Sequence, residues 1–286
     1  MIPELKHLLL STLESNSPEG FLQWLDDKIA KSQTEAQSAV VFSTFSLIAR
    51  KLKGRNEKSS EEIIIKAQQC IEGWCPCEWT LVDFARGYFL LSLKCTKEDF
   101  LNLLDKLFAS ADMNESISLY RLLILLPYHE ELINRAEEGL RTNILPIFQA
   151  VAYHSPFPYL YLSEASWNQM ILKSFFMESH IGPIYKWEAR NNHILSQLLE
   201  DYCKERLAAS RAVPFEIWAL LEAYLHVSHY DVITRSLVQA SDQAKTFLAL
   251  LLHEKNFCPN ELLAQLPPVQ TSQSIRDFLK DNHEIY

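Results

Sequence analysis

Apolar residues recur along the chain three and four positions apart, which is the spacing of one face of an α-helix. Three clear sets are Phe21, Leu22, Trp24 and Leu25; Val40, Phe42, Phe45, Leu47 and Ile48; and Leu101, Leu103, Leu104 and Leu107. Polar residues that favour helix N-termini precede other apolar runs, as at Ser59 with Glu62 and at Thr96. The alternating pattern of a half-buried strand is nearly absent. We therefore predict an all-α chain of roughly a dozen helices, arranged as an array of antiparallel helix pairs, an irregular bundle or a solenoid-like stack.

The scarcity of glycine supports this prediction. The 286 residues include only 6 glycines, whereas an average composition would give about 20. Helices avoid glycine and loops use it, so long helices with short connections are favoured. No two glycines lie close enough for a phosphate-binding loop or a dinucleotide fingerprint, and no cofactor is predicted.

The best internal boundary lies where Pro156 and Pro158 interrupt the helical pattern. Proline ends helices or stands at their starts, so this segment reads as a loop. We predict a single helical domain over 1–286. The alternative is a subdivision near 155–162 into N-terminal helices (1–154) and C-terminal helices (163–286).

Charge and hydropathy limit the classes of partner. The formal net charge of −9 argues against a nucleic-acid partner, and the basic run from Arg50 to Lys58 is interpreted as a solvated helix end. No apolar run approaches the roughly 18 to 20 residues that span a bilayer. The first ten residues do not resemble a signal peptide. We therefore predict a soluble, cytoplasmic protein without a transmembrane segment.

The cysteines and histidines give only weak metal-binding patterns. The six cysteines, expected to be reduced thiols, are Cys70, Cys75, Cys77, Cys95, Cys203 and Cys258. Cys75-Pro76-Cys77 is a C-x-C pair, but the paired C-x-x-C knuckles and histidines of a zinc site are missing. His226 and His229 with Asp231 have suitable spacing but no fixed carboxylate partner. No metal site is predicted at either place.

Polar residues interrupt the apolar pattern of a helix predicted at about 163–177. Asn168 projects between Ile171 and Leu172, so it should be buried and must then be hydrogen-bonded. Gln169 and Lys173 share a stripe of the same helix. Either Asn168 is structural and Lys173 is solvated, or the three residues line a ligand pocket.

Charged residues fall on the apolar face of a second helix, predicted at about 191–210. That face is centred on Leu195, Leu198, Leu199 and Tyr202. Glu205 and Arg206 project into the same sector, and Asp201 lies at its margin. Because an unpaired buried charge is costly, these residues predict either a buried ion-pair network or a site for a charged ligand.

The segment from Glu138 to Asn143 is a third polar interruption. Thr142 or Asn143 could cap the next helix, which would place Arg141 where an anion can meet a helix N-terminus. The alternative is an ordinary capped turn between two helices. His154, just before the proline-rich loop, is interpreted as a loop or core histidine.

An ordered string of residues runs through these segments. It comprises Arg141-Thr142-Asn143, Pro146 and Phe148; His154, Pro156 and Pro158; Trp167-Asn168-Gln169, Lys173 and Phe176; Arg190 and Asn192; and Asp201-Tyr202, Glu205-Arg206 and Arg211. The string resembles the EboA family of bacterial proteins over roughly residues 120 to 220. The chain departs from the family pattern at Gln149, where an acid is expected, and at Ser155, where an asparagine is expected. If that acid were catalytic, Gln149 could not replace it as a general base.

The resemblance implies a place in a bacterial gene cluster that makes or traffics a small polar or isoprenoid-type metabolite. Its neighbours there resemble a prenyltransferase, a metal-dependent hydrolase, a cyclitol synthase and a sugar-phosphate isomerase. The expected partners are therefore that metabolite and other proteins of the cluster. The candidate ligand-binding residues are Arg141, Asn143, His154, Asn168, Gln169, Lys173, Arg190, Asn192, Asp201, Tyr202, Glu205 and Arg206.

Three functions remain open. The first is a helical ligand-binding or scaffold protein for a polar, anionic or prenylated intermediate. The second is a lyase, isomerase or transferase acting on a phosphorylated or prenylated cyclitol or sugar. It would use Lys173 or His154 as acid/base and Arg141 or Arg206 as phosphate clamp. The third is a purely structural or oligomerisation protein. No catalytic residue is assigned.

Overall fold

The computed structural model describes residues 2–33, 37–54, 58–221, 224, 230–238, 240–254 and 266–268. Within these ranges the chain forms fifteen α-helices, three short 3-10 turns and no strand. The all-α prediction is confirmed. The chain divides into two compact units, Met1–Leu162 and Ser163–Tyr286. No helix in the described ranges is both long and apolar enough to cross a membrane.

The first unit contains ten of these helices. They are α1 (Ile2–Asn16), α2 (Phe21–Lys31), α3 (Gln37–Lys51), α4 (Glu61–Cys70), α5 (Leu81–Leu91), α6 (Lys97–Ser110), α7 (Met113–Leu122), α8 (Ile133–Arg141), α9 (Leu145–Ala152) and α10 (Phe157–Tyr161). Helix α1 packs along α5, and α9 packs against α7 and α8. Leu9, Leu13, Phe89 and Phe148 are fully buried in this unit. The apolar spacing therefore places one face of each helix in a shared core.

Polar side chains fix the starts of several helices. Thr96 caps α6 as predicted, because its hydroxyl accepts the Asp99 N–H at 3.1 Å. Asp112 and Glu115 form a reciprocal capping box at α7. The predicted capping box beginning at Ser59 is wrong. Helix α4 starts at Glu61, so its N-cap is the next residue, which makes no side-chain capping bond.

A network of buried charges joins α5 to α7. Asp83 and Arg86, both on α5, are 3% and 2% exposed. Arg86 Nη1 donates to Ser118 Oγ at 2.8 Å, and that hydroxyl donates to Asp83 Oδ1 at 2.6 Å. Arg121 Nη1 lies 3.0 Å from Asp83 Oδ2, and Glu115 lies 3.7 Å from Arg86. Each buried charge thus has polar partners, as its desolvation requires.

The second unit contains five described helices. They are α11 (Glu164–Phe176), α12 (His193–Ala208), α13 (Glu216–Leu221), α14 (Tyr230–Leu237) and α15 (Asp242–Glu254). Helix α12 packs against α11, α13 and α14, and α13 packs against α15. Trp167 and Trp218 are almost fully buried in this unit. Helix α12 is therefore central among the described helices of the second unit.

Candidate functional site

Asn168 and Asn192 form a reciprocal amide pair between α11 and the start of α12. Asn168 is 2% exposed. Its Nδ2 donates to Asn192 Oδ1 at 3.2 Å, and Asn192 Nδ2 donates back to Asn168 Oδ1 at 2.8 Å. Asn192 Oδ1 also accepts the Leu195 N–H at 2.9 Å and so caps α12. The prediction that Asn168 is buried and hydrogen-bonded is confirmed, and the pair fastens the start of α12 to α11.

Arg190 extends this polar junction. It ends the 3-10 turn Trp187–Arg190, and its guanidinium lies 4.9 Å from the ring centroid of the buried Trp167. A cation over an indole face is attracted by the ring quadrupole. Asn192 also donates to the Arg190 carbonyl at 3.1 Å. These contacts connect Asn168, Arg190 and Asn192 to the start of α12.

Gln169, Lys173 and Asp201 have different surroundings. Gln169 is exposed on α11, and Lys173 is half-buried, where desolvation lowers its pKa. The Asp201 side chain is 79% exposed and lies 3.7 Å from Lys204 Nζ. The predicted alternative of a buried ion-pair network is therefore wrong for Asp201, which faces solvent.

The C-terminal ends of α11 and α12 border an open pocket of about 130 Å³. It is lined by Phe176, Glu178, Tyr202, Glu205, Arg206, Ala209 and Arg211. Three predicted candidates, Tyr202, Glu205 and Arg206, thus lie together. The placement of Glu205 on the core face is wrong, because burial along α12 ends at Cys203 and Glu205 is exposed.

Both helices that form this pocket end in a strained turn. Glu178 after α11 has a φ of 51°, and Ser210 after α12 has a φ of 54°. The N–H groups of Ser179 and Arg211 each reach back five residues, at 2.8 Å; that of Arg211 bonds the Arg206 carbonyl. This is the Schellman arrangement, in which the left-handed position is usually glycine. Glu178 lines the pocket itself, and so do Ala209 and Arg211 on either side of Ser210.

Two aromatic rings form the apolar wall of the pocket. Phe176 is 58% exposed, although it is a large apolar side chain. Its ring lies 4.8 Å from the Tyr202 ring, edge to face. The Tyr202 hydroxyl donates to the Phe175 carbonyl at 3.1 Å, and burial raises the pKa of Tyr202. The Tyr202 ring is therefore held in place by its hydrogen bond, and the Phe176 ring remains exposed to solvent.

The pocket is lined by two acidic and two basic side chains, so their formal charges cancel. Glu178 and Glu205 stand with Arg206 and Arg211 around the same space. Arg206 Nε donates to the Ala212 carbonyl at 2.8 Å, which fixes its guanidinium plane, and its fork carries further N–H donors. Two helix C-termini add partial negative charge. A neutral ring with several hydroxyls can both donate and accept here, whereas a polyanion would face two carboxylates.

The remaining candidates lie in the first unit. Arg141 ends α8; its side chain is 64% exposed and lies 3.6 Å from Glu137. Asn143 is exposed. The prediction that Thr142 or Asn143 caps α9 is wrong, because α9 begins later, at Leu145, with Ile144 as N-cap. Thr142 Oγ1 instead accepts the Ile144 N–H at 3.2 Å within the turn.

His154 belongs to a second polar cluster in the first unit. The sulfur atoms of Cys75 and Cys77 and a ring nitrogen of His154 all lie within 4.8 Å of one another. Hydrogen bonds from Cys77 and His154 lower the pKa of the Cys75 thiol, and the hydrogen bond between the two thiol groups raises the pKa of Cys77. These three side chains could hold a soft metal ion. This cluster was not predicted from the sequence, because its histidine comes from a segment far from the two cysteines. The other predicted histidines, His226 and His229, lie outside the described residues.

A further cavity of about 170 Å³ lies in the first unit. Its lining residues are Thr12, Asn16, Lys58, Ser59, Ser60, Ile63, Trp79, Leu81 and Phe84. None of these is a predicted candidate. Lys58, its cation, is 2.7 Å from Glu78 and so already has a carboxylate partner.

Sequence reasoning also missed Phe176, Glu178 and Arg211 as candidate ligand contacts. Phe176 and Arg211 belong to the ordered string, but neither was placed in a site. An apolar aromatic at the last position of a helix, where burial commonly ends, is the signal that could have identified Phe176. Glu178 gives no comparable signal in the sequence.

One comparison identifies a family. The family model described as metabolite traffic protein EboA matches residues 5–222 of the chain, which is most of its length. No curated protein and no solved structure matches the chain. The matched segment contains both the pocket at the ends of α11 and α12 and the Cys75–Cys77–His154 cluster.

Proposed function

The chain belongs to the EboA family of metabolite traffic proteins, and on that premise we propose that it binds the hydroxylated headgroup of a small metabolite between the ends of α11 and α12. The observation that carries the proposal is the convergence of exposed Phe176 with Arg206 and Glu205 on one pocket. Small-molecule sites commonly combine an apolar wall with a few polar groups that set orientation.

The size of the pocket limits what part of a ligand it can hold. A volume of about 130 Å³ is below the roughly 300 Å³ at which drug-sized pockets begin. A single ring with hydroxyl groups fits this space better than a complete prenylated molecule. The exposed face of Phe176 could then cover the apolar face of the ring or the start of an attached chain.

The chemistry of the lining residues favours binding over turnover. Arginine donates hydrogen bonds and carboxylates accept them, so adjacent hydroxyls of one ring could satisfy both. The lining residues do not include a cysteine, serine, lysine or histidine, so a Ser–His or Cys–His pairing is lacking. The Tyr202 hydroxyl donates to the Phe175 carbonyl and burial raises its pKa, which makes it a poor base at neutral pH. We therefore assign the pocket to carriage of the metabolite.

Binding of model compounds to the full chain tests the proposal. Inositol represents a hydroxylated ring, inorganic phosphate an anion, and geraniol an isoprenoid alcohol. Titration followed by calorimetry or by amide NMR shifts should show saturable inositol binding. Arg206→Met should weaken that binding about tenfold or more, because a hydrogen bond from a charged group contributes about 1.5–3 kcal/mol.

Two control variants make the result specific. Arg235→Met removes an exposed arginine of α14, 3.5 Å from Asp231, and should leave inositol binding unchanged. Ile63→Ser alters the 170 Å³ cavity of the first unit and should also have no effect. Loss of binding in Ile63→Ser but not in Arg206→Met would move the site to that cavity. Phosphate binding without inositol binding would refute the hydroxylated headgroup, and conversion of inositol would replace carriage by catalysis.

A further inference from the structure

Three potential metal ligands meet in the first unit, two from one short turn and the third from a segment far away in the sequence. We propose that Cys75, Cys77 and His154 form a binding site for a zinc ion, with two thiolates and one imidazole as protein ligands. Their ligand atoms all lie within 4.8 Å of one another. This combination of sulfur and nitrogen donors is the one that zinc prefers.

The backbone holds the two cysteines in a fixed turn. Cys75 is extended and stands as N-cap of the 3-10 turn Pro76–Glu78. Pro76 is buried, and the flanking Trp74 and Trp79 are 1% and 4% exposed. The ring of proline fixes its own φ. The two thiols therefore project from a segment that is anchored on both sides.

The histidine is fixed to the same place by a main-chain bond and by its conformation. The Cys75 N–H donates to the His154 carbonyl at 2.9 Å, which joins the two segments directly. His154 has a φ of 57°, in the left-handed region that few residues other than glycine adopt. Pro156 and Phe157, which follow it, are buried. The buried neighbours therefore hold His154 in this conformation.

The spacing of the ligand atoms suits a tetrahedral ion. With Zn–S of about 2.3 Å and Zn–N of about 2.0 Å, two sulfurs lie about 3.8 Å apart, and sulfur and nitrogen about 3.5 Å apart. The three ligand atoms, which lie within 4.8 Å of one another, therefore need only small side-chain rotations to reach these distances. All three residues are half-buried, so an ion can enter without unfolding the unit.

Three protein ligands leave one tetrahedral position for water or another ligand. Open sites with two cysteines and one histidine are known among catalytic zinc centres, whereas structural sites use four protein ligands. The metal site belongs to the first unit and the proposed metabolite pocket to the second. The two proposals are therefore independent of each other. A failure of either proposal leaves the other standing.

Cobalt substitution in the full-length protein tests the metal site. The protein is purified in reductant, stripped with a chelator, and titrated with Co²⁺ without oxygen. One Co²⁺ per chain should bind, with the thiolate-to-metal charge-transfer absorption and the strong visible bands of a tetrahedral ion. Zn²⁺ should then displace it and abolish both signals.

Single substitutions show which side chains bind the ion. Cys75→Ser, Cys77→Ser and His154→Asn should each weaken binding at least tenfold. Asparagine is chosen for position 154 because it tolerates a left-handed φ. Cys70→Ser and Cys95→Ser remove other half-buried thiols of the same unit and serve as matched controls that should bind normally.

Circular dichroism separates loss of the site from loss of the fold. Each variant should keep the helical spectrum of the parent chain. Cobalt binding without a thiolate band, or unchanged binding in both Cys77→Ser and His154→Asn, would overturn the proposal. A Cys75–Cys77 disulfide, together with no cobalt binding after reduction, would do the same and would indicate a redox pair.

Discussion

Arg86→Met should destabilise the protein strongly, because Arg86 carries a buried charge within a network. The side chain is 2% exposed and donates to the Phe45 carbonyl at 3.2 Å and to Ser118 Oγ at 2.8 Å. Methionine fills much of the space but leaves Asp83 and Glu115 with fewer cationic partners. Breaking a buried ion pair from one side costs about 3–5 kcal/mol. Typical domains have about 5–15 kcal/mol of stability, so this loss is a large part of the total.

Urea unfolding followed by circular dichroism measures this loss. Arg135→Met is the matched control, because Arg135 lies 2.7 Å from Asp105 and 2.5 Å from Glu138, both of them exposed partners. Exposed pairs contribute about 0–1 kcal/mol, to which the stacking of Arg135 on Phe108 adds modestly. A loss for Arg86→Met no larger than that for Arg135→Met would refute the argument that burial makes this network important.

Two further predictions concern a buried histidine and a helix end. Burial lowers the pKa of His129, which bonds the Ile124 carbonyl and the Tyr161 hydroxyl. The unfolded chain therefore takes up this proton at a higher pH than the folded chain, so stability should fall as the pH drops from about 6.5 through the lower folded pKa. His129→Gln should flatten that part of the curve of urea midpoint against pH, and an unchanged slope would contradict the assignment. Ser210→Gly should raise the free energy of unfolding by about 0.5–1 kcal/mol, because glycine relieves the left-handed strain at φ 54°, whereas Ser210→Ala should give no gain in the same urea experiment.

Local patterns in the sequence predicted features that depend on one helix at a time. The helical class followed from apolar spacing, and the burial of Asn168 followed from its position among apolar neighbours on α11. Its partner Asn192 could be named as a candidate but not paired with it, because contact between two helices depends on how they pack. Glu205 was predicted to lie on a core face because a helical-wheel projection assumes that one face of the helix is buried along its whole length. In the structure, burial along α12 ends at Cys203.

Features that join distant segments were not predictable in the same way. The C-x-C pair alone is only a weak indication of a metal site. His154 becomes a possible third ligand only in the folded chain, where the Cys75 N–H donates to its carbonyl. Arg86 had a local signal, since it and Asp83 lie three positions apart in an otherwise apolar helix. The residues that satisfy those charges come from α7, and no spacing rule connects the two helices.

The ordered string of family residues serves two physical roles along α12, and the partners of each side chain separate them. At the start of the helix, Asn168 and Asn192 satisfy each other in a mostly buried place, so losing either one leaves a polar group unpaired and acts on folding. At its end, Arg206 and Glu205 line an open pocket beside exposed Phe176. Glu205 is exposed and Arg206 is only half-buried, so their loss should act mainly on binding. The asparagine pair fixes the start of α12. Through the helix it also fixes the position of the opposite end, which lines the pocket.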